Sequence, residues 1–224
     1  EGNLQKIQWM LSSQQESPLA GEPPPGEPNA RPYGDLTELN ASRKILDAVG
    51  KDTLENIAGD FLELLETSVA IYEKNGDYAL GLFSSDWCRL MDQASYRLCE
   101  TDDRAQALIC GKWLCHESCW NTAKQAIDTA KPVDTACEGG IRLYAAPISA
   151  GGEVIGTINV GYADPPTDVD RLSALAIKYG LDVKDLTECS NAYESRPPFI
   201  IELAKRRIHS AAHLIGQIVE RKQA

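Results

Sequence analysis

Long apolar runs are missing from this 224-residue chain. None approaches the ~20 residues needed to cross a bilayer, so no membrane contact by this stretch is expected. A secretory leader is missing as well: no charged segment is followed by an apolar core and a small-residue cleavage site. Beginning at Glu1 rather than Met, the chain reads as a piece of a longer protein. Positive charge is in deficit, with 22 basic against 33 acidic residues and a formal net charge of −11. That balance argues against a broad basic surface for nucleic acid. The one basic cluster, Lys205-Arg206-Arg207, falls on a predicted helix and reads as a solvated face.

Histidine is scarce: His116, His209 and His213 are the full set. A phospho-accepting histidine has an acidic neighbour and a following proline, and neither His209 nor His213 has them. His116 reads as a surface residue of its helix. A nucleophilic thiol needs a nearby base. Cys137 has only Glu138 beside it, and a carboxylate raises rather than lowers a thiol pKa. No catalytic residue is assigned. Neither Gly139-Gly140 nor Gly151-Gly152 opens a helix, so no phosphate cradle is predicted.

What is present is a set of seven cysteines without a secretory context. They read as reduced thiols of a cytoplasmic protein, where metal, cofactor or ligand roles outrank disulfides. Residues 115–161 organise the chain. Cys115 and Cys119 are four apart where a helix is plausible, so they share a face. Cys137 stands before Gly139-Gly140 and an extended run. Strands are predicted over 141–149 and 154–162, joined at Gly151-Gly152 as a hairpin. A second hairpin pairs 68–73 with 77–83 around Asn75-Gly76.

At least four antiparallel strands are thus expected in one sheet, flanked by helices, an α+β architecture. Helices are predicted over 36–49, 51–65, 86–98, 119–130, 169–179 (capped by Gly180) and 183–193, with 104–113 as helix or loop. Residues 1–12 suit a short amphipathic helix, and the Pro-rich 17–31 an extended linker. The expected organisation is a helix and linker over 1–35, a sensory domain over 36–196 and a signalling helix over 197–224. In that last helix Ile201, Ala204, Ile208, Ala211, Ile215 and Ile218 recur at steps of three and four. Such a seam implies a coiled-coil homodimer through residues 199–223, or docking on the domain itself.

Two chemistries compete at the centre. Cys88, Cys115, Cys119 and Cys137 are the candidate ligands for zinc or an iron–sulfur cluster, although their spacing matches neither zinc ribbons nor ferredoxin runs. Alternatively, Trp87, Trp113, Trp120, Cys137, Tyr144 and Tyr162 line a pocket for a small organic molecule. Arg142 and Asn159 are then its polar handles. Cys99, Cys110 and Cys189 have no such placement and are expected to be incidental.

Trp87-Cys88, Cys119, Cys137-x-Gly-Gly, Ala146-Pro-Ile, Gly152-x-Val-Ile-Gly and Gly161 together resemble the sensory domain named after the regulator PocR, over residues 40–195. The resemblance implies a PAS/GAF-like fold in a bacterial sensor histidine kinase or transcription regulator. It also implies a small-molecule ligand and an output domain in the same chain. Glu138 and Tyr162 stand where His and Gln are expected in relatives, so ligand chemistry is not carried across.

Overall fold

Two hairpins build the sheet. The computed structural model describes residues 33–83 and 85–224, so the expected helix over 1–12 and linker over 17–31 lie outside the described residues. In the first hairpin, β1 (Ser68–Glu73) pairs with β2 (Tyr78–Phe83). Gly76 supplies the positive φ of 96° that turns the chain between them. In the second, Gly151 and Gly152 both have positive φ and join β4 (Arg142–Ala150) to β5 (Glu153–Tyr162). A short edge strand, β3 (Val133–Ala136), completes an antiparallel sheet of order β2-β1-β5-β4-β3. The reading of "at least four strands" did not include β3. Four residues after Lys131-Pro132, two of them polar, carry too little alternation to announce a strand.

The predicted helix over 36–49 is two pieces. Leu36–Leu39 is a 3-10 turn and Lys44–Val49 is α1. Asn40 explains the break. Its side chain accepts from Arg43 N at 2.7 Å and donates to Glu73 Oε1 and to the Tyr78 carbonyl. A side chain that satisfies local backbone in this way competes with helix continuation. The remaining helices are α2 (Lys51–Leu65), α3 (Asp86–Arg97), α4 (Arg104–Ile109), α5 (Leu114–Thr129), α6 (Val169–Tyr179), α7 (Val183–Ala192) and α8 (Pro198–Gln223). Ser85, Asp168 and Asp182 cap α3, α6 and α7 by accepting backbone N–H groups of the first turn. Pro197-Pro198 opens α8, where a missing N–H costs nothing.

The sheet divides the helices. α8 lies across β4 and β5 with α1 and α2 beside it, whereas α5 lies over β1, β3, β4 and β5 on the other face and is backed by α3. α8 buries Ile200, Ala204, Ile208, Ala212, Ile215 and Val219 against its own domain. Of the three-four seam, Ala204, Ile208 and Ile215 dock on the domain, whereas Ile201, Ala211 and Ile218 stay only half-buried. Ile208 and Ile215 are fully enclosed there. Glu73, also fully buried, anchors the same layer: its carboxylate accepts from Ile45 N and Leu46 N at 3.0–3.1 Å at the start of α1. A negative charge at those unpaired N–H groups is favourable.

Candidate functional site

Alternation along the strands gives each face its own residues. On β4 and β5, Leu143, Asn159 and Gly161 point to the α5 side; Arg142, Tyr144 and Tyr162 point to the α8 side. Asn159 is buried and ties the layers together, donating to the Cys119 carbonyl at 2.8 Å and accepting from Thr157 Oγ1 at 3.1 Å. Thr122 and Thr135 share a 2.8 Å hydroxyl bond, and Glu138 N donates to Ser118 Oγ. These bonds tie α5 to the sheet.

Two adjoining cavities lie between that sheet face and α3 and α5. One, of about 20 Å³, is lined by Trp87, Cys88, Met91, Cys115, Cys119, Cys137 and Leu143, among others. Its neighbour, of about 10 Å³, is lined by Tyr33, Tyr72, Tyr78, Asp92, Trp113, His116 and Asn159, among others. Cys115, Cys119, Ser68, Phe83 and Leu143 border both. Each void holds about one water molecule. The first is apolar and sulfur-walled; the second carries the polar groups.

The four thiols singled out from the sequence meet at the first cavity. Cys88, Cys115 and Cys137 are held protonated there. Burial pushes Cys88 up to about 12, with only partial relief from the Ser85 hydroxyl. Burial raises Cys115 well above the ordinary range and raises Cys137 too, the Gly139 N–H opposing it in the latter. Metal ligation needs thiolates. Among the described residues, no group of three or more His, Cys, Asp or Glu side chains is placed to hold a metal ion. The geometry is that of a sulfur-lined wall, and it lends no support to zinc or an iron–sulfur cluster.

The aromatic and polar candidates divide. Trp87 is buried and donates through Nε1 to the Gly139 carbonyl at 3.0 Å, which seats the Cys137 loop. Trp113 is buried and donates to Asp92 Oδ1 at 2.9 Å. With Cys137 and Asn159 they belong to the cavity face. Trp120 sits at its margin, against Gly76 and 5.6 Å from the Tyr72 ring, bordering a separate surface cleft. Arg142, Tyr144 and Tyr162 are on the opposite face. There Tyr162 and Arg142 both bond Asp134, Lys205 of α8 reaches Asp134 at 2.9 Å, and Tyr144 Oη meets His209 Nε2 at 2.9 Å. The Asp134 carboxyl is held below its usual range by those Tyr162, Lys205 and Arg142 partners, which outweigh its burial.

Several residues escaped the sequence reading. Asp92 is a buried carboxylate that accepts from Trp113 and from Tyr33. The signal was there: Asp92 falls on the same helical face as Cys88 and Ser95, inside the apolar stripe of α3. His116 is buried, not on the surface. Its Nδ1 lies 2.9 Å from Tyr78 Oη, which accepts from Tyr72 Oη at 2.8 Å, and its ring packs on Trp113. Burial lowers its pKa to about 4, against the pull of the Leu108 carbonyl, so the imidazole is neutral. The reason for the miss is the length of α5, which starts at Leu114 rather than Cys119 and turns His116 inward.

A five-stranded antiparallel sheet with helices on both faces, a lined cavity on one and a long C-terminal helix on the other, is an α+β sensory architecture of the PAS/GAF kind. The family described as the sensory domain found in PocR matches residues 47–221, and the chain belongs to that family. The match spans the sheet, both helical layers and nearly all of α8. No curated protein matches. Similar solved structures include the C-terminal domain of a protein described as a transcriptional regulator from Vibrio cholerae. It is 16% identical with a TM-score of 0.30, over 67% of this chain and 98% of that one. The C-terminal domain of the E. coli transcriptional regulator KdgR is 11% identical with a TM-score of 0.28, over 66% and 98%. Likeness at that level bears on neither mechanism nor ligand. Among the described residues no helix is long and apolar enough to cross a membrane.

Proposed function

We propose that this domain is a non-catalytic sensor that takes a small, weakly polar organic molecule between the sheet and helices α3 and α5. Its occupancy is passed through α8 to an output domain, a histidine kinase or a transcription regulator. The observation that carries the reading is the alternation in β4 and β5. Leu143 and Gly161 border the cavity, and their immediate neighbours Tyr144 and Tyr162 contact His209 and Lys205 of α8. The two cavities as they stand hold water-sized guests only. A larger ligand binds by widening the space between the sheet and α5, and its preference for that widened form is what shifts the population toward it. Asp92, His116 and Asn159 would orient polar atoms, and the thiols and Trp87 would face apolar ones.

Cys119 borders both cavities, so Cys119→Leu fills the space with a side chain. Thermal shift against a panel of small aromatic and aliphatic compounds should find a stabilising ligand for the wild type, since only native-state binding raises Tm. The same ligand should leave the folded Cys119→Leu variant unmoved. Equal stabilisation of both would place the site elsewhere.

With Ile208 and Ile215 enclosed, a homodimer through residues 199–223 would use the stripe that remains: Ala211, Leu214 and Ile218. Leu214 is 47% exposed. Sedimentation should then show a dimer that Leu214→Glu with Ile218→Glu converts to monomer. An unchanged dimer would put the interface elsewhere, and a monomeric wild type would remove it.

A further inference from the structure

Two of the thiols read as incidental are neighbours. We propose that Cys99 and Cys110 are a peroxide-sensitive dithiol that closes to a reversible disulfide, clipping α4 to the end of α3. Cys99 lies just past α3 and Cys110 is the C-terminal cap of α4. They meet at one carbonyl: Ala107 O accepts from Cys110 N at 3.4 Å and from Cys99 Sγ at 3.7 Å. The two side chains also neighbour each other and influence each other's titration. Neither belongs to the cavity, and both are only partly buried, in contrast to Cys88 and Cys115. Reagents can therefore reach this pair without opening the core.

The pair is chemically unequal. The Cys110 sulfur accepts from Lys112 N at 3.3 Å, with Cys99 beside it. The Cys99 thiol and that N–H draw its pKa below the ordinary thiol value despite its burial. Burial and the facing Cys110 hold Cys99 up at about 12; of the charged groups near it, Lys112 pulls down and Glu117 pushes up. One partner is thus a thiolate-prone nucleophile and the other a protonated resolving thiol, the division of labour that disulfide formation requires. The Cys110 thiolate attacks hydrogen peroxide, breaking its O–O bond. That leaves a sulfenic acid on Cys110 and hydroxide, which takes a proton to become water. The Cys99 sulfur then displaces the sulfenic hydroxyl, its proton leaving with that group as a second water. Two thiols are oxidised by two electrons and one peroxide is reduced. A thiol reductant reverses the bond.

The bridge would span α4, which carries Ala105, Leu108 and Ile109 into the surface cleft beside Trp120. It would also fix Leu108, whose carbonyl bonds the buried His116. Oxidation state is in this way written next to the cavity wall.

The sequence makes the test direct, because trypsin cuts at Arg97, Arg104 and Lys112 and puts Cys99 and Cys110 in separate peptides, 98–104 and 105–112. Reduced protein is treated with hydrogen peroxide near stoichiometry, alkylated and mapped without reductant. The expected product is the linked pair of those two peptides, lost on adding dithiothreitol. Cys110→Ser should abolish it. Cys99→Ser should leave a dimedone-reactive sulfenic acid on Cys110, and Cys189→Ser should change nothing. Iodoacetamide at neutral pH should label Cys110 before any other thiol. Peptides 98–104 and 105–112 recovered separately from oxidised wild type would overturn the proposal, as would a link from either to Cys115, Cys119 or Cys189.

Discussion

Gly216→Ala should destabilise the domain, although alanine is the better helix former. Gly216 lies in α8 where the helix crosses the end of β4. A Cβ there would sit 2.0 Å from the Ser149 carbonyl oxygen and 3.0 Å from its carbon. Backbone on both sides leaves no side chain to swing aside, so the C-terminal half of α8 must lift by about 1 Å to restore ordinary contact distances. Ile215 and Val219, both fully enclosed, lose part of their packing with that movement. Overpacking of this kind costs about 1–3 kcal/mol, with more expected against rigid backbone. The gain in helix propensity offsets about 1 kcal/mol of it. A net loss of roughly 2 kcal/mol corresponds to a fall in Tm of about 4–8 °C in a domain of this size. Gly59→Ala is the matched control. Gly59 is in α2, and a Cβ there meets nothing within 4 Å. It should stabilise by up to ~1 kcal/mol. Circular dichroism melts and urea titration of both variants decide the matter. A Gly216→Ala protein as stable as wild type, or a Gly59→Ala protein that falls with it, would refute the argument.

Acid should weaken the fold through His116. The unfolded imidazole titrates near 6.5 and the folded one near 4, so between those values the unfolded state binds the extra proton. Stability is then complete above about pH 7 and falls as pH drops to 4, by roughly 3 kcal/mol. His116→Gln should flatten that limb in pH-dependent urea titrations, and an unchanged slope would assign it to other groups. Glu73→Gln should cost about 2–3 kcal/mol, because the amide loses the charge that the N–H groups at the start of α1 bond. A loss below 0.5 kcal/mol in denaturant melts would show that the carboxylate is not the anchor of α1.

The strands and most helices were readable because their signals are local. β1 and β2 follow from apolar residues around Asn75-Gly76, and α6 from its period with Gly180 behind it. Cys88, Cys115, Cys119 and Cys137 border one cavity without grouping as metal ligands. That Cys115 and Cys119 share a helix face was readable from their spacing, but how far the four sulfurs stand from one another was not. Nor was the face of the sheet that each aromatic would occupy. Tyr144 and Leu143 are adjacent in sequence, and only the strand register sends one to α8 and the other to the cavity. The pairing of Cys99 with Cys110 was hidden for a different reason. Ten residues separate them, and a six-residue helix folds the interval back on itself.

β5 is enclosed on both sides from Ile155 to Tyr162, and that has a consequence for how such a sensor can diversify. A change at Asn159 or Gly161 that suited a new ligand would also disturb the strand against which α8 is seated. Helices α3 and α5 carry no such double duty, because their outer faces are free of the sheet. Under the proposed function, ligand preference can drift on those two helices while the half of the domain that seats α8 stays constant. The strand packed on both faces is the part least able to vary.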